Sequence, residues 1–168
     1  MLSFFGTKSP PKFTPKDTKD TKKLMKFVKW FVNNTSNGKL LIDEVSRSIF
    51  ASGIRPVSGT RNTPNLPPEL DTDPYYWFLE RIRLSLIMIS EREENDVNGV
   101  ISLMEEELAR HTAELKSLCE QYGVVFEGTD VLAEIEKISN DIDRKWFKSK
   151  LLDFRFSILE LDIIKTLY

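Results

Sequence analysis

The sequence predicts an all-α protein: a basic N-terminal helical arm, a proline-rich linker and an acidic multi-helix bundle with partial coiled-coil character. Three observations carry that expectation. Apolar residues recur at three- and four-residue spacing through most of the 168 residues, as in helices that bury one face. Residues suited to capping, such as Asp96 and Gly123, stand where these periodic stretches begin and end. Charge is also split along the chain. The first 39 residues hold nine lysines and two acids, and the other 129 hold 15 basic and 24 acidic residues. A basic arm on an acidic body points to two ends that meet different partners.

Residues 1–16 hold Pro10, Pro11 and Pro15 among spaced lysines and read as a flexible basic arm. Residues 17–52 read as a helical pair. The first helix starts at Pro15 behind Thr14, or later at Thr18 or Asp20. Its apolar stripe is Leu24, Phe27, Val28, Phe31 and Val32. Lys22, Lys23, Lys26 and Lys29 fill the rest of its surface, with Trp30 among them. The segment from Asn33 to Gly38 is expected to stop it, and Leu41, Val45 and Ile49 mark a second, shorter helix. Residues 53–73 carry Pro56, Pro64, Pro67 and Pro68 with no periodicity, and read as a linker or a loop with a role of its own.

Residues 74–168 read as the C-terminal bundle. Asp73-Pro74 is an acidic cap before a proline at the first helical position. Tyr75, Phe78, Leu79, Ile82, Leu86 and Ile89 then face inward, while Trp77, Leu84, Ile87 and Met88 leave little of that helix for water. Beyond Asp96, the series Ile101, Met104, Leu108, Leu115, Leu118, Tyr122 and Val125 spans about three heptads and is interrupted by His111. Gly123 is placed to close this helix in the left-handed conformation. The last stretch, from Thr129 or Asp130, contains neither Gly nor Pro and is expected to break near Asn140–Ser149. Val131, Ile135, Ile138, Ile142 and Trp146 read as one stripe. The tail, Leu151–Tyr168, matches helical spacing but also alternates as a strand does. Helix is preferred, because a lone strand leaves its backbone unpaired.

Composition bounds the function. Hydrophobic and charged fractions of 40% and 30% suit a soluble globular chain. No apolar run approaches the ~20 residues needed to span a bilayer. The opening Met1-Leu2-Ser3-Phe4-Phe5-Gly6 does not read as a secretory leader. A single cysteine, Cys119, rules out an intrachain disulfide and suits a reducing, cytoplasmic location, with nuclear access open.

No motif identifies a reaction. Cys119 and His111 lie about 12 Å apart along one helix, too far for a nucleophile–base pair. Glu107, His111 and Glu114 share a helical face, but helical metal sites draw ligands from several helices and this chain has no second histidine. These three read as solvated, as do Glu105–Glu107 and Asp141–Asp143. Gly123 and Gly128 have phosphate-loop spacing without the lysine, and Glu127 and Asp130 would repel phosphate. No catalytic residue, metal or cofactor is therefore expected.

The expectation is a non-enzymatic interaction protein, an adaptor, regulator or assembly factor, that self-associates. Leu152, Phe154, Phe156, Leu159 and Leu161 are the expected oligomer or partner interface, and their spacing also fits a leucine-rich export signal loosely. The alternative is a membrane-peripheral or sequence-independent nucleic-acid-binding protein acting through residues 8–30. There Lys22, Lys23, Lys26, Lys29 and Trp30 would meet the polyanion, with Phe4, Phe5 and Phe13 as membrane anchors. The size, basic leader and helical body would suit a viral or phage accessory protein.

Overall fold

The computed structural model describes residues 9–49, 74–92, 96–128 and 130–168. The linker expected at 53–73 and the first eight residues of the arm lie outside the described residues. Six α-helices follow one another: α1 (Thr21–Asn34), α2 (Ser36–Glu44), α3 (Pro74–Glu91), α4 (Val97–Tyr122), α5 (Val131–Glu136) and α6 (Asp141–Leu167). A short 3-10 turn, Pro15–Asp17, precedes α1, and a π-helical turn, Val45–Ile49, continues α2. The tail is thus helix, as expected, and the described residues are all-α.

Caps set the helix boundaries. The side chains of Asp20, Thr35, Asp96, Asp130 and Asn140 each accept a backbone N–H from the first turn of α1, α2, α4, α5 and α6. These bonds satisfy donors that a helix start leaves open. Gly123 closes α4 at φ 66°, the left-handed end expected of it. The break between α1 and α2 is tighter than the sequence suggests, since Thr35 alone separates them. Its hydroxyl donates to the Phe31 carbonyl at 2.9 Å and accepts from Gly38 N at 3.1 Å. Gly38 does not stop a helix. It lies inside α2, where a Cβ would stand 2.4 Å from the Val32 carbonyl oxygen. Glycine permits the sharp turn that lays α2 against α1.

Pairs of contacts give the helix directions. Thr21 meets Arg83 and Asn33 meets Tyr75, so α1 and α3 run antiparallel. Asn37 meets Asp162 and Glu44 meets Arg155, so α2 runs antiparallel to α6. Glu105 meets Lys165 and Glu114 meets Lys150, so α4 does the same. α6 is therefore shared by the other layers. Its C-terminal half lies in the main apolar cluster with α1, α2, α3 and the start of α4. Its N-terminal half packs Phe147 and Leu151 into a second cluster with Leu115, Val124, Val131 and Ile135.

The last stretch breaks at the near edge of the expected window, after Glu136 and before Asp141. That break undoes the single stripe read through Val131–Trp146. Val131 and Ile135 stay in the core, but Ile142 and Trp146 are 78% and 47% exposed. They belong to α6, whose axis no longer continues that of α5. The heptad-like series on α4 is likewise incomplete as an apolar seam. His111, read as an interruption, takes a core position at 2% exposure.

Candidate functional site

The outer face of α1 is a lysine-rich surface. Its inner face, Leu24, Phe27, Val28, Phe31 and Val32, is buried in the main cluster. Lys22, Lys26 and Lys29 lie on the opposite side at i, i+4 and i+7, all exposed, and Lys23 flanks them. At 1.5 Å per residue the row from Lys22 to Lys29 is about 10 Å long. Lys12, Lys16 and Lys19 are exposed just before it.

The two acids of this region are already engaged. Asp20 caps α1 by accepting from Lys23 N at 3.2 Å. Asp17 accepts from Thr14 N at 3.1 Å and from Lys23 Nζ at 3.3 Å, and these bonds, the backbone one first, hold its carboxyl below the usual range. Lys29 lies 5.3 Å from the centre of the Tyr75 ring. Among the described residues, Lys19, Lys22 and Lys26 have no carboxylate within ion-pair distance. Four of the five residues named from sequence, Lys22, Lys23, Lys26 and Lys29, are thus brought together on open surface, with Lys23 partly occupied by Asp17.

The fifth, Trp30, is placed differently. It is half-buried, sits edge-on to Phe31 at 6.3 Å and packs against the main cluster. Phe13, expected as a free anchor, stacks on Phe27 at 5.0 Å, so residues near it lie on the body rather than away from it. Phe4 and Phe5 lie outside the described residues. Trp30 and Phe13 thus both spend part of their surface on the body.

The residues expected to form an oligomer interface lie inside one chain. Leu152, Phe156, Leu159 and Leu161 are buried in the main cluster, and Phe154 is half-buried against the second. Phe156 alone meets Trp77 at 4.9 Å and Phe78 at 5.7 Å between ring centres. The apolar excess read from the tail is absorbed by α1, α2 and α3, and the export-signal spacing is sequestered with it.

Sequence reasoning missed a polar cluster where α3, α4 and α6 meet. The Arg81 guanidinium lies over the rings of both Trp77 and Phe156, at 4.7 and 4.3 Å. One turn on, Ser85 Oγ donates to Glu160 Oε2 at 2.6 Å. His111 Nε2 stands 3.4 Å from Glu107 Oε1, and His111 Nδ1 is buried without a hydrogen-bond partner. Glu107 and His111 were expected to be a solvated pair. His111 is instead enclosed, and its hydrogen bond holds the half-buried Glu107 carboxyl below the usual range. Glu160 retains some exposed area, yet the packing around its carboxyl penalises charge and pushes its pKa up, against the pull of Arg81 and Ser85. The signal was legible only as polar residues interrupting apolar stripes: Arg81, Ser85, His111 and Glu160.

A cleft of about 480 Å³ opens between α2, the segment after α4 and α6, and is lined by Asp43, Arg47, Phe126, Asp130 and Arg155 among others. Its two guanidinium groups are occupied, Arg47 by Asp130 at 2.8 and 3.1 Å and Arg155 by Glu44 at 2.7 and 3.3 Å. Cys119 is half-buried, and burial pushes its thiol up, away from the reactive thiolate. Among the described residues no three metal-ligating side chains come together, and no helix is long and apolar enough to cross a membrane. Searches of protein-family models, curated proteins and solved structures find no match to this chain.

Proposed function

We propose that this chain is a non-enzymatic helical interaction protein that docks on polyanionic surfaces through the outer face of α1. One observation carries the reading: a row of exposed lysines, of which Lys22 and Lys26 have no carboxylate at ion-pair distance among the described residues, on a helix whose other face is sealed in the core. The sealed face argues against α1 as an inserted amphipathic helix, which must bury its apolar side in lipid. The packing of Trp30 and Phe13 argues against base stacking as the source of affinity. What remains is attraction between ammonium groups and closely spaced phosphates, indifferent to sequence, since no arginine that reads bases lies on α1.

The test is a fluorescence titration at several salt concentrations with duplex DNA in one arm and anionic vesicles in the other. Replacing Lys22, Lys26 and Lys29 with Ala should lower the slope of log affinity against log salt for DNA by about 2.7, at ~0.9 per phosphate. On vesicles the same change should remove about 3 kcal/mol, at ~1 kcal/mol per lysine near an anionic surface. Absence of binding to both ligands at low salt would leave the row a plain solvated face.

A second observation favours self-association in addition. Ile142 and Trp146 stand one turn apart on α6, and Leu84 and Met88, 38% and 36% exposed, do so on α3. Apolar pairs left open in this way suit contacts between copies.

A further inference from the structure

We propose that Arg81, Ser85, Glu107, His111 and Glu160 form a proton-operated latch that holds α3 onto the α4–α6 pair more firmly at mildly acidic than at alkaline pH. The geometry supplies the parts. Glu160 on α6 is met from α3 by Ser85, at 2.6 Å, and by the charge of Arg81. From α4 it is met by the like charge of Glu107 and by His111. Arg81 lies over the rings of both Trp77 of its own helix and Phe156 of α6, so the polar cluster and the aromatic seam join α3 to α6 at the same place.

Enclosure gives the direction. The Glu160 carboxyl is packed where α3, α4 and α6 meet, near the like charge of Glu107, and an enclosed site penalises a carboxylate far more than water does. The packed state therefore takes up a proton on Glu160 more readily than a state in which α3 has lifted away. The enclosure of Glu160 raises its carboxyl pKa. A group raised on folding stabilises the folded state fully below its unfolded value, and that contribution is lost as pH rises through the folded value. The latch therefore loosens as pH rises from the ordinary glutamate range through the raised value.

Hydrogen exchange of the α3 backbone, read as protection factors at about pH 6 and pH 8, tests this in the full chain. Wild type should gain protection at the lower pH, by up to about tenfold per pH unit within the window. Glu160→Gln keeps the Ser85 hydrogen bond but carries no titrating charge, and its protection should vary far less between the two conditions. Equal pH dependence in both chains would overturn the latch, because the exchange would then report other groups. A variant that fails to fold leaves a direct measurement on the wild type. A carbon NMR titration placing the Glu160 carboxyl midpoint within the ordinary glutamate range would overturn it as decisively.

Discussion

Single residues in this fold are constrained by distances a substitution can violate. Gly38→Ala would push a methyl group to within 2.4 Å of the Val32 carbonyl oxygen and 2.6 Å of Val32 Cα, both backbone atoms. A flexible side chain can move aside, but two packed helices cannot, so the change should cost about 1–3 kcal/mol in urea denaturation. The Glu44–Arg155 pair makes a different case. Both oxygens are engaged by the guanidinium, at 2.7 and 3.3 Å, and Glu44 is buried. Arg155→Met alone should destabilise by roughly 3 kcal/mol because it strands the carboxylate, whereas Glu44→Leu with Arg155→Met should cost less than the single change. An additive double-mutant cycle would show that the pair is uncoupled. Neither residue stood out in the sequence. Glu44 and Gly38 acquire their roles from chain segments far away or at a turn whose angle the sequence does not state.

At the scale of elements, α1 separates stability from binding. Leu24 is fully buried in the main cluster, and Leu24→Ala should cost about 2–5 kcal/mol. The Lys22, Lys26 and Lys29 side chains meet water, and replacing all three with Ala should change stability by no more than about 0.5 kcal/mol per site. Thermal melts followed by circular dichroism would separate the two classes. A large loss from the lysine variant would mean that the row holds the fold together. Local pattern made this helix legible. Its stripe, its lysine face and its Asp20 start are all written within one segment. The same logic misled at α5 and α6, where a stripe continuous in sequence crosses the turn between two helices and leaves Ile142 and Trp146 exposed. It also misled at Leu152, Phe156, Leu159 and Leu161. Helical periodicity says that a face is apolar, but whether another helix of the same chain covers it depends on tertiary packing.

For the whole molecule, two sets of carboxylates pull stability in opposite directions with pH. Asp17, Asp96, Asp130, Glu107 and Glu114 are held below their usual ranges, each by a hydrogen bond first. Their contribution is present above their unfolded values and is lost as pH falls through the folded ones. Glu160 has the opposite sign. Urea midpoints measured across pH should therefore fall at strongly acidic pH in wild type and in Glu160→Gln alike, and diverge only above the ordinary glutamate range. Self-association is read from mass: light scattering should exceed the 19.5 kDa of one chain, and Ile142→Asp with Trp146→Glu should lower it without loss of helix. A monomer at high micromolar concentration would remove that second reading. One more consequence follows from α6 being common to both apolar clusters. A ribosome makes α1, α2 and α3 well before Leu152, Phe156, Leu159 and Ile163, which complete the main cluster. Until those residues emerge, the nascent chain carries the inner faces of three helices with their final partner missing. Exposed apolar surface of that kind is what holding chaperones bind, and the main cluster can close only once α6 has left the ribosome.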